Sequence, residues 1–258
     1  VKSNITETFR RLRKEGKKAF IPYVMAGDPD LERTGYFMRL FEECGADIIE
    51  LGIPFSDPLA DGPTIQRASE RALQKGVTLR KVIAYVKSFS QKISVPIVLM
   101  TYYNPLFKYG LDIFVSDARD AGVDGVIIPD LPPDEAVEFT RLAQKARLNT
   151  IFLLAPTSND DRIEKVIRAS TGFIYYVSIT GITGSALLLD GTMEVLLAKI
   201  RKHTEKPIAV GFGVSTPEEA SAVARLSDGV IVGSAIVKRL RESPDALKQY
   251  IRSLREAI

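Results

Sequence analysis

Three carboxylates gather in the stretch Glu50-Leu-Gly-Ile-Pro-Phe-Ser-Asp-Pro-Leu-Ala-Asp-Gly-Pro-Thr-Ile-Gln66. Glu50 follows Asp47-Ile48-Ile49, which reads as a short buried strand, so it stands where that strand ends. Asp57 and Asp61 lie in a loop stiffened by Pro54, Pro58 and Pro63. Each proline fixes φ and gives up an amide donor, so such a loop holds its groups in place. Carboxyl groups held at a strand end suit proton transfer. A single Asp there would read as a solvated turn. Glu50 does not, because its strand neighbours are apolar and burying a carboxyl carries a cost.

Other chemistries find little support. The one histidine, His203, sits among Arg201, Lys202 and Thr204 and reads as a solvated helix-end residue. The one cysteine, Cys44, excludes an internal disulfide and suits a reducing, cytoplasmic setting. Neither has companions at metal-ligand spacing, so no metal site is expected. A net charge of +3 with scattered basic residues gives no nucleic-acid footprint, and the Lys and Arg pairs near residues 10 to 18 read as solvated surface. No apolar run approaches the roughly 20 residues that span a bilayer. The N-terminus shows no signal-peptide pattern, and Val1 in place of Met leaves room for an upstream segment.

The elements that must position the carboxylates alternate along the chain. Short β-branched runs fall at residues 19–25, 46–51, 96–101, 125–129, 150–154, 173–178, 207–210 and 229–232. Between them helix-period segments occupy 31–44, 79–92, 112–121, 134–146, 160–169, 193–203 and 217–225. Thr78, Asp160 and Ser215-Thr216-Pro217 are helix-start signals. Ile97-Val98-Leu99 and Val126-Ile127-Ile128 are apolar on both faces, as parallel strands under helices require. Eight strand–helix units over residues 1–258 predict one domain, a (β/α)8 TIM barrel. An internal echo agrees: Gly45-Ala-Asp47, Gly122-Val-Asp124 and Leu226-Ser-Asp228 each place a turn residue and an Asp before a buried run.

Glycine-bearing loops follow the last three strands: Thr180-Gly181-Ile182-Thr183-Gly184, Gly211-Phe212-Gly213 and Gly233-Ser234. Glycine lets a backbone approach a ligand closely with its amides turned inward. In barrels of this kind that corner commonly binds phosphate. Together the three loops point to a phosphorylated ligand.

The stretch from Glu50 to Gln66 resembles the signature of the tryptophan synthase alpha-subunit family. Tyr23-Val-Met-Ala-Gly-Asp-Pro29, Met100-Thr-Tyr-Tyr-Asn-Pro105, Pro129-Asp-Leu-Pro132, Gly181-Ile-Thr-Gly184, Gly211-Phe-Gly213 and Gly233-Ser-Ala-Ile-Val237 follow in the family's order. The resemblance implies a lyase of tryptophan biosynthesis that cleaves indole-3-glycerol phosphate, a phosphorylated indole, to indole and glyceraldehyde 3-phosphate. It implies Glu50, Asp61 and Tyr175 as catalytic residues, and Gly184, Gly213, Gly233 and Ser234 as phosphate-binding. Thr183 would lie in a mobile loop, and Pro54 and Asp57 would face a beta subunit in an alpha-beta-beta-alpha heterotetramer. No cofactor is implied in this chain; pyridoxal phosphate would belong to the beta partner.

The residues suit that chemistry. Cleavage needs a proton delivered to indole C3 and another removed from the side-chain hydroxyl, and one carboxyl with a raised pKa, Glu50, serves both steps. An ionised Asp61 would accept the indole N–H and stabilise charge on the ring nitrogen. No Lys stands at the end of a predicted strand to form a Schiff base. Tyr175 and its neighbour Tyr176 must point to opposite faces, so Tyr175 either packs the core or positions Glu50 and lines the site. Phe212, Tyr102, Phe20 and Ile65 are candidates for an indole pocket, and Asp130 for a loop-ordering or partner contact. One departure stands out: where the family often runs Gly-Ala-Arg after Gly184, this chain reads Ser185-Ala186-Leu187-Leu188-Leu189, which puts loop closure in doubt. A free-standing lyase, a chain kept mainly to activate its partner, and another phosphate-binding barrel such as a sugar-phosphate isomerase are the alternatives.

Overall fold

The computed structural model describes residues 4–177, 191–211 and 213–258. The first half runs α1 (Ile5–Lys14), β1 (Ala19–Met25), α2 (Leu31–Glu43), β2 (Ile49–Gly52), α3 (Pro63–Gln74), α4 (Leu79–Phe89), β3 (Ile97–Met100), α5 (Tyr103–Tyr109), α6 (Leu111–Asp120) and β4 (Gly125–Ile127). The second runs α7 (Val137–Lys145), β5 (Asn149–Ile151), β6 (Leu153–Leu154), α8 (Asp160–Ala169), β7 (Ile174–Val177), α9 (Thr192–Arg201), β8 (Ile208–Gly211), α10 (Pro217–Leu226), β9 (Gly229–Val232), α11 (Ser234–Arg239) and α12 (Pro244–Ala257).

All strand pairs are parallel, in the order β5-β4-β3-β2-β1-β9-β8-β7-β6. β5 and β6 are one strand interrupted at Phe152. Joining them brings the sheet round on itself, so nine segments fill the eight places of a barrel. β1, β2, β3, β8 and β9 are buried throughout because barrel interior and helix layer cover both faces. The helices bury one stripe each: in α4 that stripe is Leu79, Val82, Ile83, Val86 and Phe89, the spacing of one helical face. Oxygen caps start some of them, as where Asp30 accepts the Arg33 amide at 2.7 Å and Thr216 forms a capping box with Glu219.

The end of the barrel where strands begin is tied by a repeated two-point clamp. Asp47 donates its amide to the Phe20 carbonyl (2.9 Å) and accepts the Phe20 amide on Oδ2 (3.1 Å). Asp124 clamps Ile97 in the same way (2.8 and 3.0 Å), and Asp228 clamps Ile208 (2.9 and 2.8 Å). These are the three aspartates of the sequence echo. A fourth clamp, Thr171 on Thr150 (both bonds 2.9 Å), escaped the sequence reading because a hydroxyl replaces the carboxylate. Asp124→Ala would leave the Ile97 amide without its acceptor in the core. It should cost about 2 kcal/mol, read as a lower urea midpoint with specific activity retained.

The boundaries differ from expectation where local chemistry intervenes. β2 begins at Ile49 rather than at residue 46, because Asp47 is turned towards Phe20. Pro63 does not stiffen the loop but opens α3 at its first position. The basic pairs of residues 10–14 lie on α1, whose other face buries Ile5, Phe9 and Leu12. The helix expected over 79–92 ends at Phe89, with a tighter turn over Ser90–Lys92. Among the described residues, no helix is long and apolar enough to cross a membrane.

Candidate active site

A pocket opens where the strands end. Glu50 on β2, Tyr23 beside it on β1, Tyr175 on β7 and Asp61 from the β2–α3 loop supply its polar groups. Ile65, Met100 and Ile231 give it apolar walls, and Gly213, Gly233 and Ser234 line it from the β8 and β9 loops. Gly213 has φ 83°, a conformation that favours glycine.

Burial governs the acids. Glu50 is 1% exposed, and its Oε2 has no hydrogen-bond partner among the described residues. Desolvation pushes its carboxyl up to about 8, and the charge of Asp61 adds to the push. Asp61, 7% exposed, is raised by burial to about 6, while a hydrogen bond from the Tyr102 hydroxyl opposes the rise. Near neutral pH the two acids therefore hold opposite protonation states. The phenols of Tyr23 and Tyr175 are held protonated first by burial, then by the negative charge of Asp61 and, once it ionises, of Glu50.

Both tyrosines fit because the facing strand carries glycine. A Cβ at Gly52 would overlap the Tyr23 phenol, and one at Gly211 would overlap that of Tyr175. Tyr175 turns to the pocket and Tyr176 is buried elsewhere in the core, which selects the pocket-lining option for Tyr175.

The structure brings Glu50, Asp61, Tyr175, Gly213, Gly233, Ser234 and Ile65 to one pocket. Thr183, Gly184, the leucines of 187–189 and Phe212 lie outside the described residues. Asp57 is exposed on the loop crest, whereas Pro54 is buried below it. Two expected pocket residues are elsewhere. Phe20 is fully buried at the start of β1, far down its strand from the mouth, and Tyr102 stands behind Asp61. Asp130 accepts the Tyr103 amide at 2.9 Å and so orders the turn after β3. Tyr23, Met100, Val214 and Ile231 were not assigned to the site from sequence. The usable signal was strand register, since Tyr23 pairs with Glu50 across β1 and β2.

A parallel (β/α)8 barrel with a buried acid pair at its strand ends defines an enzyme frame for proton-transfer chemistry. The family described as tryptophan synthase alpha chain matches residues 9–258, and the chain belongs to it. It is 52% identical over 240 residues to the tryptophan synthase alpha chain of Geotalea uraniireducens, covering 93% of this chain and 90% of that one. To the alpha chain of Geobacter sulfurreducens it is 49% identical over 261 residues, with 99% of each covered. Its fold matches a solved Mycobacterium tuberculosis tryptophan synthase with TM-score 0.93 at 38% identity, covering 100% of this chain and 99% of that one. The Legionella pneumophila alpha subunit gives 0.91, also at 38%, covering 99% and 98%.

Proposed function

We propose that this chain, acting as one domain, is the alpha subunit of a tryptophan synthase and cleaves indole-3-glycerol phosphate through Glu50 and Asp61. The observation that carries the roles is the acid pair itself, two buried carboxyls lining one pocket, where burial pushes Glu50 up to about 8 and Asp61 to about 6. Glu50 delivers its proton to indole C3, giving an indolenine cation. Its carboxylate then takes the proton of the hydroxyl on the adjoining side-chain carbon. As that carbon becomes an aldehyde, the C–C electrons return to the ring and neutralise the nitrogen. Asp61 accepts the indole N–H and stabilises the cation. Tyr175 positions Glu50, and Ile65, Met100 and Ile231 hold the ring.

Gly213, Gly233 and Ser234 would hold the phosphate, with Gly184 and Thr183 assigned to the same site by family resemblance. The partner face is the crest carrying Asp57, where Leu59 is 90% exposed, together with Phe107, which is 66% exposed. Exposed apolar groups of this size suit a protein contact. Pro54 would shape that crest from below. The partner is a beta subunit in an alpha-beta-beta-alpha complex that takes the indole, and pyridoxal phosphate resides there. The setting is cytoplasmic.

The test is indole release from indole-3-glycerol phosphate, with and without a beta subunit. Turnover should rise with the partner, and Asp61→Asn should lower it by about 10² to 10³-fold. Equal turnover with and without the partner would favour a free-standing lyase. No indole in either setting would remove the lyase reading.

A further inference from the structure

The loop between β2 and α3 is held at three places. Ser69 Oγ accepts the Phe55 amide and donates to the Phe55 carbonyl, both at 2.9 Å. Gln66 donates to the Asp61 carbonyl at 2.8 Å. The third hold is Tyr102, two residues past β3 and 3% exposed. Its ring packs on Phe55 at 5.4 Å between centroids, its oxygen accepts the Ala60 amide at 3.1 Å, and its hydroxyl is near enough to the Asp61 carboxyl to favour the charged form. One side chain thus touches both ends of the crest and the acid that follows it. Between those contacts, Ser56, Asp57 and Leu59 are exposed.

We propose that Tyr102 is the positioning residue of the acid pair, aiming the Asp61 carboxylate into the pocket and tying it to the crest of the loop. The inference rests on the catalytic reading of Asp61 above. A phenol held at its ring by Phe55 and at its oxygen by the Ala60 amide has one orientation, and a carboxylate on the next residue, beside that fixed hydroxyl, has a restricted rotamer. A carboxylate that must meet an indole N–H within hydrogen-bonding reach needs that restriction.

The surroundings leave Tyr102 a second effect. Among the described residues, the titratable groups around Asp61 are Glu50 from β2, Tyr23 from β1 and Tyr175 from β7, with Asp130 beyond Tyr102 after β4. These groups are acids and phenols. Among the influences on Asp61, burial disfavours its charge and the Tyr102 hydroxyl favours it. The hydroxyl therefore both aims the carboxylate and keeps it ionised.

Tyr102→Phe removes the hydroxyl and keeps the ring on Phe55. Because a donor to the charged form lowers a carboxyl pKa, its loss raises that of Asp61. The acidic limb of the rate profile should move upward by about one pH unit, giving about tenfold lower turnover near pH 5.5. Profiles from pH 5 to 9 for the parent, Tyr102→Phe and Asp61→Asn, each with the beta subunit, make the test. Carboxyl ¹³C titration of Asp61 without substrate should show the same displacement. A Tyr102→Phe profile that overlies the parent's, or falls uniformly without moving its limb, would reduce Tyr102 to packing, provided Asp61→Asn is impaired. An Asp61→Asn variant as active as the parent would instead remove the catalytic reading of Asp61.

Discussion

Glu50→Gln is expected to abolish indole release and leave the barrel at least as stable as the parent at pH 8. The amide matches the carboxyl in shape but can neither deliver a proton to C3 nor take one from the hydroxyl. General acid–base help is typically worth about 10² to 10⁴-fold, and here both proton transfers depend on one group. The parent should show a bell-shaped profile. Its acidic limb near pH 6 reports ionisation of Asp61, and its basic limb near pH 8 reports loss of the Glu50 proton. These limbs belong to the pair, since the charge of Asp61 is one cause of the raised Glu50 value.

The stability arm follows from the same burial. In the unfolded chain Glu50 ionises near 4.5, whereas in the fold it keeps its proton up to about 8. Across that window the native state binds more protons than the unfolded state, so stability falls as pH rises. Gln does not titrate and escapes that loss, which is complete above pH 8. Thermal midpoints of the two proteins should converge near pH 4 and separate towards pH 9, with Glu50→Gln the higher. A variant that lost activity and also melted earlier at pH 8 would mean that Glu50 supports the fold rather than the reaction.

Gly52→Ala is expected to lower turnover by about 10²-fold or more through a single methyl group. Its Cβ would lie 2.5 Å from Cζ of Tyr23 and closer still to the hydroxyl. The ring atoms are rigid, so the whole phenol must move, and it already lines the pocket beside Glu50. Displacements of about 1 Å at a reacting centre can cost 10²-fold. Shortening the obstructing residue, as in Gly52→Ala with Tyr23→Val, should return part of the lost turnover. No recovery would place the damage in the backbone of β2 instead. Gly211 stands in the same relation to Tyr175.

The order of elements and the chemistry at one strand end are legible in the residues alone. Alternating β-branched and helix-period runs specify local conformation, and short-range backbone sterics are enough to make them legible. The Glu50–Gln66 stretch was legible for a related reason: prolines and carboxylates adjacent in sequence act on one another through the same few bonds. Which side chains from distant strands meet depends on the folded barrel. Phe20 and Tyr23 share β1, yet Tyr23 reaches the pocket and Phe20 does not, because depth along a barrel strand is set by register with β2 and β9. Tyr102 looked like pocket wall until the folded loop set Ala60 and Asp61 against its hydroxyl. The protonation states of Glu50 and Asp61 also belong to the fold. A pKa responds to the desolvation and charge that surround a group in space, and only closing the barrel supplies those surroundings.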